Sequence, residues 1–255
     1  MSDRKYHIER TALIDADHLA YQQAAAAHSN QDSAMEMNVR IQDLLAAYTR
    51  LACCTKFITV FSCSRDDNFR REVYAPYKAN RTAEPPAMLD AARELLAGAG
   101  PTISRPNVEA DDVMGILQTN GKIAHTVIVS VDKDMQQIPG LHFNPNKDDF
   151  PVRVTEEEAT HAFYVQWLKG DPTDGYPGIK GVGEVAAQKL LRLYSDDPVT
   201  AILTKYRDMG KTYEEALQQA RCARILRAED WDDGLILWNP PIVAPEAIWE
   251  EVEVD

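Results

Sequence analysis

The sequence contains few cysteines and no long apolar run. Its four cysteines show neither the paired spacing of a zinc site nor a disulfide framework: Cys53, Cys54, Cys63 and Cys222. We therefore expect small buried thiols in a reducing compartment. No apolar stretch approaches the ~20 residues that span a bilayer, and no signal-type segment follows the first residues. These absences argue against membrane insertion and predict a soluble cytoplasmic protein.

Basic residues are also scarce, because the 255 residues include 27 Lys and Arg against 40 Asp and Glu, and the net charge is −13. Proteins that coat nucleic acids neutralise phosphates with Lys and Arg, so this balance argues against such a protein. It does not exclude an enzyme whose carboxylates bind divalent cations, since the cations offset part of the charge. The apolar fraction of 45% suffices for a large domain without disulfides.

Short apolar runs predict buried, parallel strands at residues 11–14, 57–61 and 126–131. Helical patterns lie between and around these runs, at residues 17–28, 34–54, 87–96 and 110–119. The alternation of the two predicts an α/β fold with a mixed, mainly parallel central sheet flanked by helices.

After Phe150 the pattern changes to helices separated by loops. Thr155 and Glu158 form a capping box, which predicts a helix that reaches Lys169. Further helical patterns cover residues 184–194 and 212–226. We expect three regions: an α/β catalytic core over residues 1–150, a helical region over 151–238, and an acidic, irregular tail over 239–255.

Pairs of carboxylates follow two of the predicted strands. Asp15 and Asp17 follow the first strand, and Asp132 and Asp134 follow the third. The carboxyl ends of parallel strands line one crevice, so we expect both pairs to point into the same place. The alternative is that Asp17 and Asp132 only cap the helices that follow.

A third group, Glu109, Asp111 and Asp112, begins a predicted helix. Glu109 and Asp112 are three residues apart and share a helix face. Acids in a first helical turn are favoured by the helix dipole, which is the ordinary explanation. Three carboxylates within four residues nevertheless repel one another unless a cation lies among them.

A fourth group, Asp171 and Asp174, lies in a turn of Gly and Pro, where Asp is common. Residues 178–183 (GIKGVG) then lead into a helix and offer backbone amides to a phosphate, although such a pattern alone is weak. Together the four groups supply more carboxylates than one general acid and base require. Oxygen ligands without His or Cys favour Mg²⁺ or Mn²⁺, and two such ions would clamp an in-line phosphoryl displacement.

The order of these motifs resembles the flap endonuclease/5′-nuclease superfamily, whose members have a PIN-like fold and include bacteriophage 5′→3′ exonucleases. The resemblance extends from about residue 11 to residue 194, and its motifs are specific. Within the superfamily, the chain looks similar to the exonucleases of T-odd podophages. That similarity extends over most of the chain except the acidic tail, and it rests on residues 109–115 (EADDVMG), 170–176 (GDPTDGY) and 223–227 (ARILR).

The resemblance implies two Mg²⁺ sites, in which Mn²⁺ can substitute, and makes Asp15, Asp111 and Asp132 catalytic carboxylates. One ion would lie near Asp15, Glu109 and Asp111, with Asp112 close by. The second would lie near Asp132, Asp134, Asp171 and Asp174.

Residues 170–194 would form a C-terminal helix–three-turn–helix region, according to the same resemblance. This region would hold the duplex backbone, often with a K⁺ ion, through Gly178, Lys180, Gly181 and Gly183.

Residues 69–81 (FRREVYAPYKANR) alternate basic and aromatic side chains in an otherwise acidic chain. Basic residues contact phosphates and aromatics stack on splayed bases, so we assign DNA contacts to Arg70, Arg71, Tyr77, Lys78 and Arg81. The alternative is a solvated helix with its aromatics packed inward. The resemblance places Tyr77, Lys78 and Arg81 at the base of an arch over about residues 65–90. Lys78 would then act as a catalytic electrophile, Arg81 as a phosphate clamp, and Tyr77 would stack on a terminal base.

One position departs from the family pattern. The family usually has an Asp for the first metal directly after the second strand, whereas Phe61 is followed here by Ser62 and Cys63. Asp66 or Asp67 could reach the site from the loop, or Ser62 could hold a water at the metal. The first metal site therefore lacks one ligand of the family pattern.

The resemblance implies a divalent-metal-dependent 5′→3′ exodeoxyribonuclease or structure-specific 5′-nuclease. It would cut DNA at a 5′ end, nick or flap, and RNA in RNA/DNA hybrids, and it would leave 5′-phosphates. Its role would lie in phage DNA replication, primer removal or recombination, in the host cytoplasm. One alternative is a PIN-type ribonuclease, which normally lacks the glycine-rich loop. The other is a catalytically weak DNA-end or flap-binding module, suggested by the missing Asp.

Overall fold

A six-stranded, mainly parallel sheet forms the centre of the computed structural model, which describes residues 9–250 apart from 243 and 246. The strands are β1 (Thr11–Asp15), β2 (Lys56–Val60), β3 (Thr102–Ile103), β4 (Thr126–Val129), β5 (Gly140–Phe143) and β6 (Val152–Val154). Their order is β3-β2-β1-β4-β5-β6, and β6 pairs antiparallel with β5 while the other neighbours are parallel. The predicted mixed, mainly parallel sheet is confirmed.

Helices cover both faces of this sheet. The helices of the described residues, on the sheet and beyond it, are α1 (Ala16–Asn30), α2 (Ala34–Leu51), α3 (Phe69–Val73), α4 (Leu89–Gly98), α5 (Ala110–Thr119), α6 (Glu156–Lys169), α7 (Glu184–Leu193), α8 (Pro198–Asp208), α9 (Tyr213–Ala223) and α10 (Ala247–Glu250). Short 3-10 helices cover Arg65–Asp67, Lys133–Gln137 and Ala228–Asp230.

Side chains of β1 alternate between the two faces of the sheet, as strand geometry requires. Ala12 and Ile14 pack with α1, α2 and α4 on one face, whereas Leu13 packs with α5 on the other. Because helices bury both faces, the strand consists of apolar residues rather than alternating polar and apolar ones. The helices packed on the two faces then fix the position of Asp15, the polar side chain at the carboxyl end of β1.

Helices α6, α7, α8 and α9 build a second apolar core behind the carboxyl edge of the sheet. Trp167 is fully buried there, and its indole N–H donates to the carbonyl of Ala216 at 2.9 Å. Capping boxes begin α6 and α9, through Thr155 with Glu158 and Thr212 with Glu215.

Two glycines set the turn that follows α6. Gly170 and Gly178 have φ of 67° and 57°, a left-handed conformation that a side chain makes costly. A Cβ on either glycine would lie 2.3 Å from the backbone nitrogen of the other. This close approach folds residues 171–177 back toward the sheet, so Asp171 and Asp174 reach the edge at which β1 and β4 end.

The segment after residue 238 differs partly from the predicted irregular tail. Ile248 and Trp249 of α10 pack on the second core, and the indole N–H of Trp249 donates to the carbonyl of Lys211 at 2.7 Å. These apolar side chains explain why this part docks. Residues 251–255, the acidic end of the predicted tail, lie outside the described residues. In the described part of the chain, no helix is long and apolar enough to cross a membrane.

Candidate active site

The four predicted carboxylate groups meet at one cavity of about 670 Å³. It lies where β1 and β4 end, where α5 begins, and beside the turn that follows α6. Eight carboxylates line it: Asp15, Asp17, Glu109, Asp111, Asp132, Asp134, Asp171 and Asp174. Four Lys or Arg side chains also line it: Lys78, Arg81, Lys133 and Lys169. The cavity therefore concentrates negative charge at the carboxyl edge of the sheet, which is the usual ligand position in such folds.

The strand-end carboxylates combine capping with a position in the cavity. Asp15 caps α1, since it accepts from the backbone N–H of His18 at 3.1 Å, and it also accepts from the Ser130 hydroxyl at 3.0 Å. Asp132 caps the following 3-10 helix through the N–H of Asp134 at 2.8 Å. Asp17 does not cap α1, and Asp132 caps its helix while it also lines the cavity, so neither residue is only a cap.

Glu109 and Asp111 experience opposite electrostatic surroundings. Burial would raise the pKa of Glu109, but Lys78 and Arg70 outweigh burial and lower it to about 2. Burial raises the pKa of Asp111 well above its ordinary value, and the neighbouring Asp15 and Asp132 raise it further. Asp111 is thus a half-buried carboxylate among carboxylates, a place where a bound cation would be stabilised.

This donor set fits a hard divalent cation, because it consists of carboxylate oxygens without a His or Cys ligand. In the described ranges of the chain, no three Asp, Glu, His or Cys side chains already converge tightly enough to enclose an ion. An ion bound among these carboxylates would remove their mutual repulsion.

Asp134 offers a test of that repulsion in the absence of metal. Burial and the nearby Asp132 raise its pKa from 3.8 to about 6, so the folded protein holds a proton more tightly than the unfolded chain. Wild-type stability should therefore fall as the pH rises from 3.8 through about 6. We expect Asp134→Asn in EDTA to be more stable than wild type by about 1–2 kcal/mol near pH 7 and equal near pH 4. Thermal unfolding at both pH values measures this difference, and a variant that is less stable at both would contradict it.

Lys78 and Arg81 face the cavity as predicted. The ammonium of Lys78 pairs with Glu109 and lies 3.5 Å from Asp174, and Arg81 donates to Asp174 at 2.5 Å. Lys78 has a left-handed backbone with φ of 53°, and its N–H donates to the carbonyl of Asp174 at 2.7 Å. This costly backbone conformation indicates that the surrounding structure holds residue 78 in place.

Two predicted site residues lie in the interior instead. Asp112 is fully buried and Arg70 is 2% exposed, and the two form a bidentate ion pair at 2.6 and 2.7 Å. Asp112 does not line the cavity, so its predicted role as a metal ligand is corrected. Arg70 cannot reach DNA from its buried position, so its predicted phosphate contact is also corrected. The sequence could not distinguish these roles, because a charged residue that is buried in an ion pair with a distant partner has the same local sequence pattern as an exposed one.

Tyr77 and Gly178 also differ from prediction. Tyr77 is 2% exposed and its hydroxyl donates to Glu109 at 2.8 Å, so its ring is not free to stack on a base. The N–H of Gly178 donates to the side chain of Gln219 at 2.9 Å and is unavailable to a phosphate. By contrast, Lys180, Gly181 and Gly183 are exposed, and Gly183 caps α7 and lines the cavity.

A second, more basic cavity of about 480 Å³ adjoins the acidic one. Five Lys or Arg side chains line it: Arg65, Arg71, Lys78, Arg81 and Arg93. Arg71 pairs with the exposed Asp66 at 3.0 Å, and Arg65 donates to the carbonyls of Lys78 and Arg81. Positive and negative surfaces thus meet at Lys78 and Arg81, which line both cavities.

Ser62 occupies the place of the missing family Asp. Its hydroxyl accepts from the N–H of Ala110 at 2.9 Å, and its own N–H donates to Asp17 at 2.7 Å. Asp66 pairs with Arg71 and Asp67 accepts from Ser64, so neither loop carboxylate lines the acidic cavity. The structure brings Asp17 to this side of the cavity, a residue the sequence suggested through its spacing from Asp15 but did not assign to the site.

Comparison with known proteins agrees with this geometry. The family described as 5′-3′ exonuclease, N-terminal resolvase-like domain, matches residues 10–163. The exonuclease of Escherichia phage T7 is 28% identical, over 89% of this chain and 93% of that protein. The exodeoxyribonuclease of Enterobacteria phage T3 is also 28% identical, over 89% of this chain and 92% of that protein. DNA polymerase I of Deinococcus radiodurans is 33% identical over 71% of this chain, which corresponds to 20% of the polymerase.

Among solved structures, the bacteriophage T5 D15 protein shares the fold, with a TM-score of 0.63 and 18% identity over 83% of this chain and 88% of that one. The T5 D15 flap endonuclease in complex with DNA and metal ions has a TM-score of 0.60 at 19% identity, over 83% of this chain and 87% of that one. The matched family covers the sheet, both strand-end pairs and the start of α5, which supply six of the eight cavity carboxylates, while Asp171 and Asp174 lie beyond the match. The chain belongs to the 5′–3′ exonuclease family of hydrolytic nucleases.

Proposed function

We propose that the chain is a divalent-metal-dependent 5′→3′ exodeoxyribonuclease that cuts DNA at a 5′ end, nick or flap and leaves 5′-phosphates. The observation that carries this proposal is the cavity lined by eight carboxylates beside a cavity lined by five cations. The acidic side suits metal-assisted phosphodiester hydrolysis, and the basic side suits a phosphate backbone.

Two Mg²⁺ ions, or Mn²⁺ in their place, would be held by the cavity carboxylates. Asp15, Glu109 and Asp111 would hold the first. The second would be held by Asp132, Asp134, Asp171 and Asp174. When bound, the ions would activate water and stabilise the charge that develops on the phosphodiester oxygens. Ser62 and Asp17 border the first site, where the family Asp is missing.

Lys78 and Arg81 act on the scissile phosphate in this proposal. Their cations sit at the boundary of the two cavities and are anchored to Glu109 and Asp174. A phosphodiester placed there would exchange part of these ion pairs for contacts with its own oxygens. Because burial and the two carboxylates hold Lys78 in place, its ammonium needs little rearrangement to stabilise the developing charge.

The path of the DNA follows from the exposed backbone and the charges. Gly183 borders the acidic cavity at the beginning of α7, and Lys180 and Gly181 are exposed next to it. A duplex backbone leaving the cavity would meet the amino terminus of α7, which favours phosphates. We therefore propose that residues 1–150 form the catalytic core, that Asp171 and Asp174 complete its second metal site, and that the remainder of residues 151–238 holds the duplex. A K⁺ ion at this loop stays a prediction.

The strand with the 5′ end would extend to the basic cavity. The proposed arch, about residues 65–90, includes the 3-10 helix Arg65–Asp67 and α3, and between α3 and α4 its residues 74–88 have no helix or strand. Arg71 and Arg81 remain exposed enough to meet phosphates there. Activity on RNA in RNA/DNA hybrids, and a role in phage replication, primer removal or recombination, stay predictions from the family resemblance.

The function is tested with end-labelled and internally labelled blunt, nicked and 5′-flapped duplexes, an RNA/DNA hybrid and free RNA. We expect 5′ label to be released as short nucleotides with Mg²⁺ or Mn²⁺, and no product in EDTA. Binding without cleavage under every metal would favour a DNA-end or flap-binding module. Cleavage restricted to free RNA would favour a PIN-type ribonuclease. The ratio of single-nucleotide to flap products measures the balance of exonuclease and endonuclease activity.

A further inference from the structure

Arg70 lies beneath the acidic cavity with all its donors in use. A guanidinium has five N–H groups. They donate to both oxygens of Asp112 at 2.6 and 2.7 Å, to Glu109 at 3.4 Å, and to the carbonyls of Cys222 and Arg224 at 3.1 and 2.6 Å. The arginine therefore connects the start of α5 to a segment more than 100 residues away, and no donor is left for substrate.

Asp112 is saturated in the same way. Besides two bonds from Arg70, it accepts from the N–H of Glu109 at 3.0 Å and from the N–H of Leu226 at 3.0 Å. Each carboxylate oxygen thus has two donors, which satisfies the group without a metal. Because Asp112 accepts a hydrogen bond from the N–H of Glu109, it fixes the first turn of α5, where Glu109 and Asp111 line the cavity.

The segment of residues 222–230, here called the strap, supports a second part of the cavity as well. A Cβ on Gly115 would lie 2.2 Å from the carbonyl oxygen of Leu226, so the strap lies directly against α5. Arg227 donates to the carbonyl of Gln137 at 2.9 and 3.2 Å, and the N–H of Ile225 donates to the Gln137 side chain at 3.4 Å. Gln137 ends the 3-10 helix that Asp132 caps and that contains Asp134.

We propose that Arg70 and the strap are positioning elements of the metal centre, which set the spacing between the carboxylates of α5 and those of residues 132–134. They act through Asp112, which holds the first turn of α5, and through Gln137, which holds the 3-10 helix after Asp132. This inference rests on the proposed function, since it assigns a purpose to the same carboxylates. Residues 223–227, which carried part of the family resemblance without an assigned role, thereby receive a role in the activity.

A buried ion pair of this kind does not need to stabilise the fold. Replacing both partners by neutral residues is often neutral, whereas removing one partner leaves an uncompensated buried charge. Groups that orient metal ligands typically change metal affinity or activity by about 10–100-fold when they are lost. Stability and positioning can therefore be separated by comparing single and double substitutions at the same pair.

The test compares Arg70→Met with Arg70→Met combined with Asp112→Asn. The single variant should unfold at a temperature roughly 10 °C lower, because Asp112 is left unpaired. The double variant should regain most of that stability. Its affinity for Mn²⁺, titrated without DNA and followed by the paramagnetic resonance of free Mn²⁺, should stay about 10–100-fold weaker than wild type. In the cleavage assay kcat should fall while the KM for DNA changes little.

A matched control uses the same substitutions at another ion pair. Arg40 pairs with Asp32 at 2.5 Å, beyond the far end of α1, whose 15 residues extend ~22 Å from Asp15. Arg40→Met with Asp32→Asn should leave Mn²⁺ affinity and kcat at the wild-type level. A stable Arg70 and Asp112 double variant with wild-type Mn²⁺ affinity and kcat would overturn the proposal.

Arg70→Lys keeps the test decisive if the double variant does not regain stability. Lysine retains the charge but cannot donate to all the acceptors of Arg70. We expect weaker Mn²⁺ binding in this variant, and wild-type binding would again overturn the proposal. Failure of wild-type protein to cleave any 5′ end would instead contradict the proposed function, whereas Mn²⁺ affinity reports on the positioning without requiring cleavage.

Discussion

Asp111→Asn is expected to lower kcat on a 5′-labelled duplex by ~10³-fold or more, while the affinity for that DNA in EDTA changes little. Asp111 is the most crowded carboxylate of the cavity, because burial, Asp15 and Asp132 all raise its pKa. Asparagine keeps the shape but removes the charge that would attract a divalent cation. Asp132→Ala should have a similar effect, since Asp132 lies beside Asp111.

The same substitution should raise stability in the absence of metal. A carboxylate with a raised pKa destabilises the folded state once the pH exceeds its unfolded pKa, so its removal should increase the unfolding temperature of the EDTA-treated protein near neutral pH. Asp43→Asn, an exposed substitution on α2, is the control and should change neither quantity. Near wild-type cleavage by Asp111→Asn and Asp132→Ala would refute the assignment of the site.

Lys78→Ala is expected to lower kcat by about 10²–10³-fold with a smaller change in KM. Lys78 stays charged because Glu109 and Asp174 raise its pKa against the effect of burial. The substitution removes the cation at the boundary between the acidic and basic cavities, where the scissile phosphate is proposed to lie. Single-turnover kinetics on the 5′-labelled duplex separates this loss from a defect in binding.

Lys122→Ala provides the control for Lys78, because Lys122 is exposed beyond the opposite end of α5. It should leave both kcat and KM unchanged. If Lys78→Ala raised the KM for DNA without lowering kcat, this lysine would be a DNA-binding residue and not a catalytic one. Its left-handed backbone would then have no catalytic explanation.

The strand-end carboxylates were predictable because their position depends on local sequence. Asp15 and Asp132 directly follow apolar runs that only a buried strand explains, and parallel strands end at one edge. Helix α5 was predicted with its observed limits, since acids and apolar residues mark its start and face. The short strands β3, β5 and β6 were missed, because two to four residues with polar members carry no periodic signal.

The roles of Asp112 and Arg70 could not be read from the sequence for a different reason. Asp112 is one of three acids in four residues, and the neighbour Asp111 faces the cavity while Asp112 faces inward. Its partner Leu226 is 114 residues away, and Arg70 bonds Arg224 across 154 residues. Such pairings depend on the tertiary fold. Helix α8, by contrast, begins with Asp197 at its N-cap and Pro198 in its first turn, a start that the sequence itself indicates.

The strap also has a consequence for the order in which the chain is made. Every carboxylate of the acidic cavity has been synthesised once translation passes Asp174. The carbonyls and the N–H that complete Arg70 and Asp112 belong to residues 222–226 and exist only later. A nascent chain, which folds from its amino terminus, therefore carries the full acidic cluster before it carries the backbone that holds α5. Translation must reach Leu226 before the nuclease centre has its complete support.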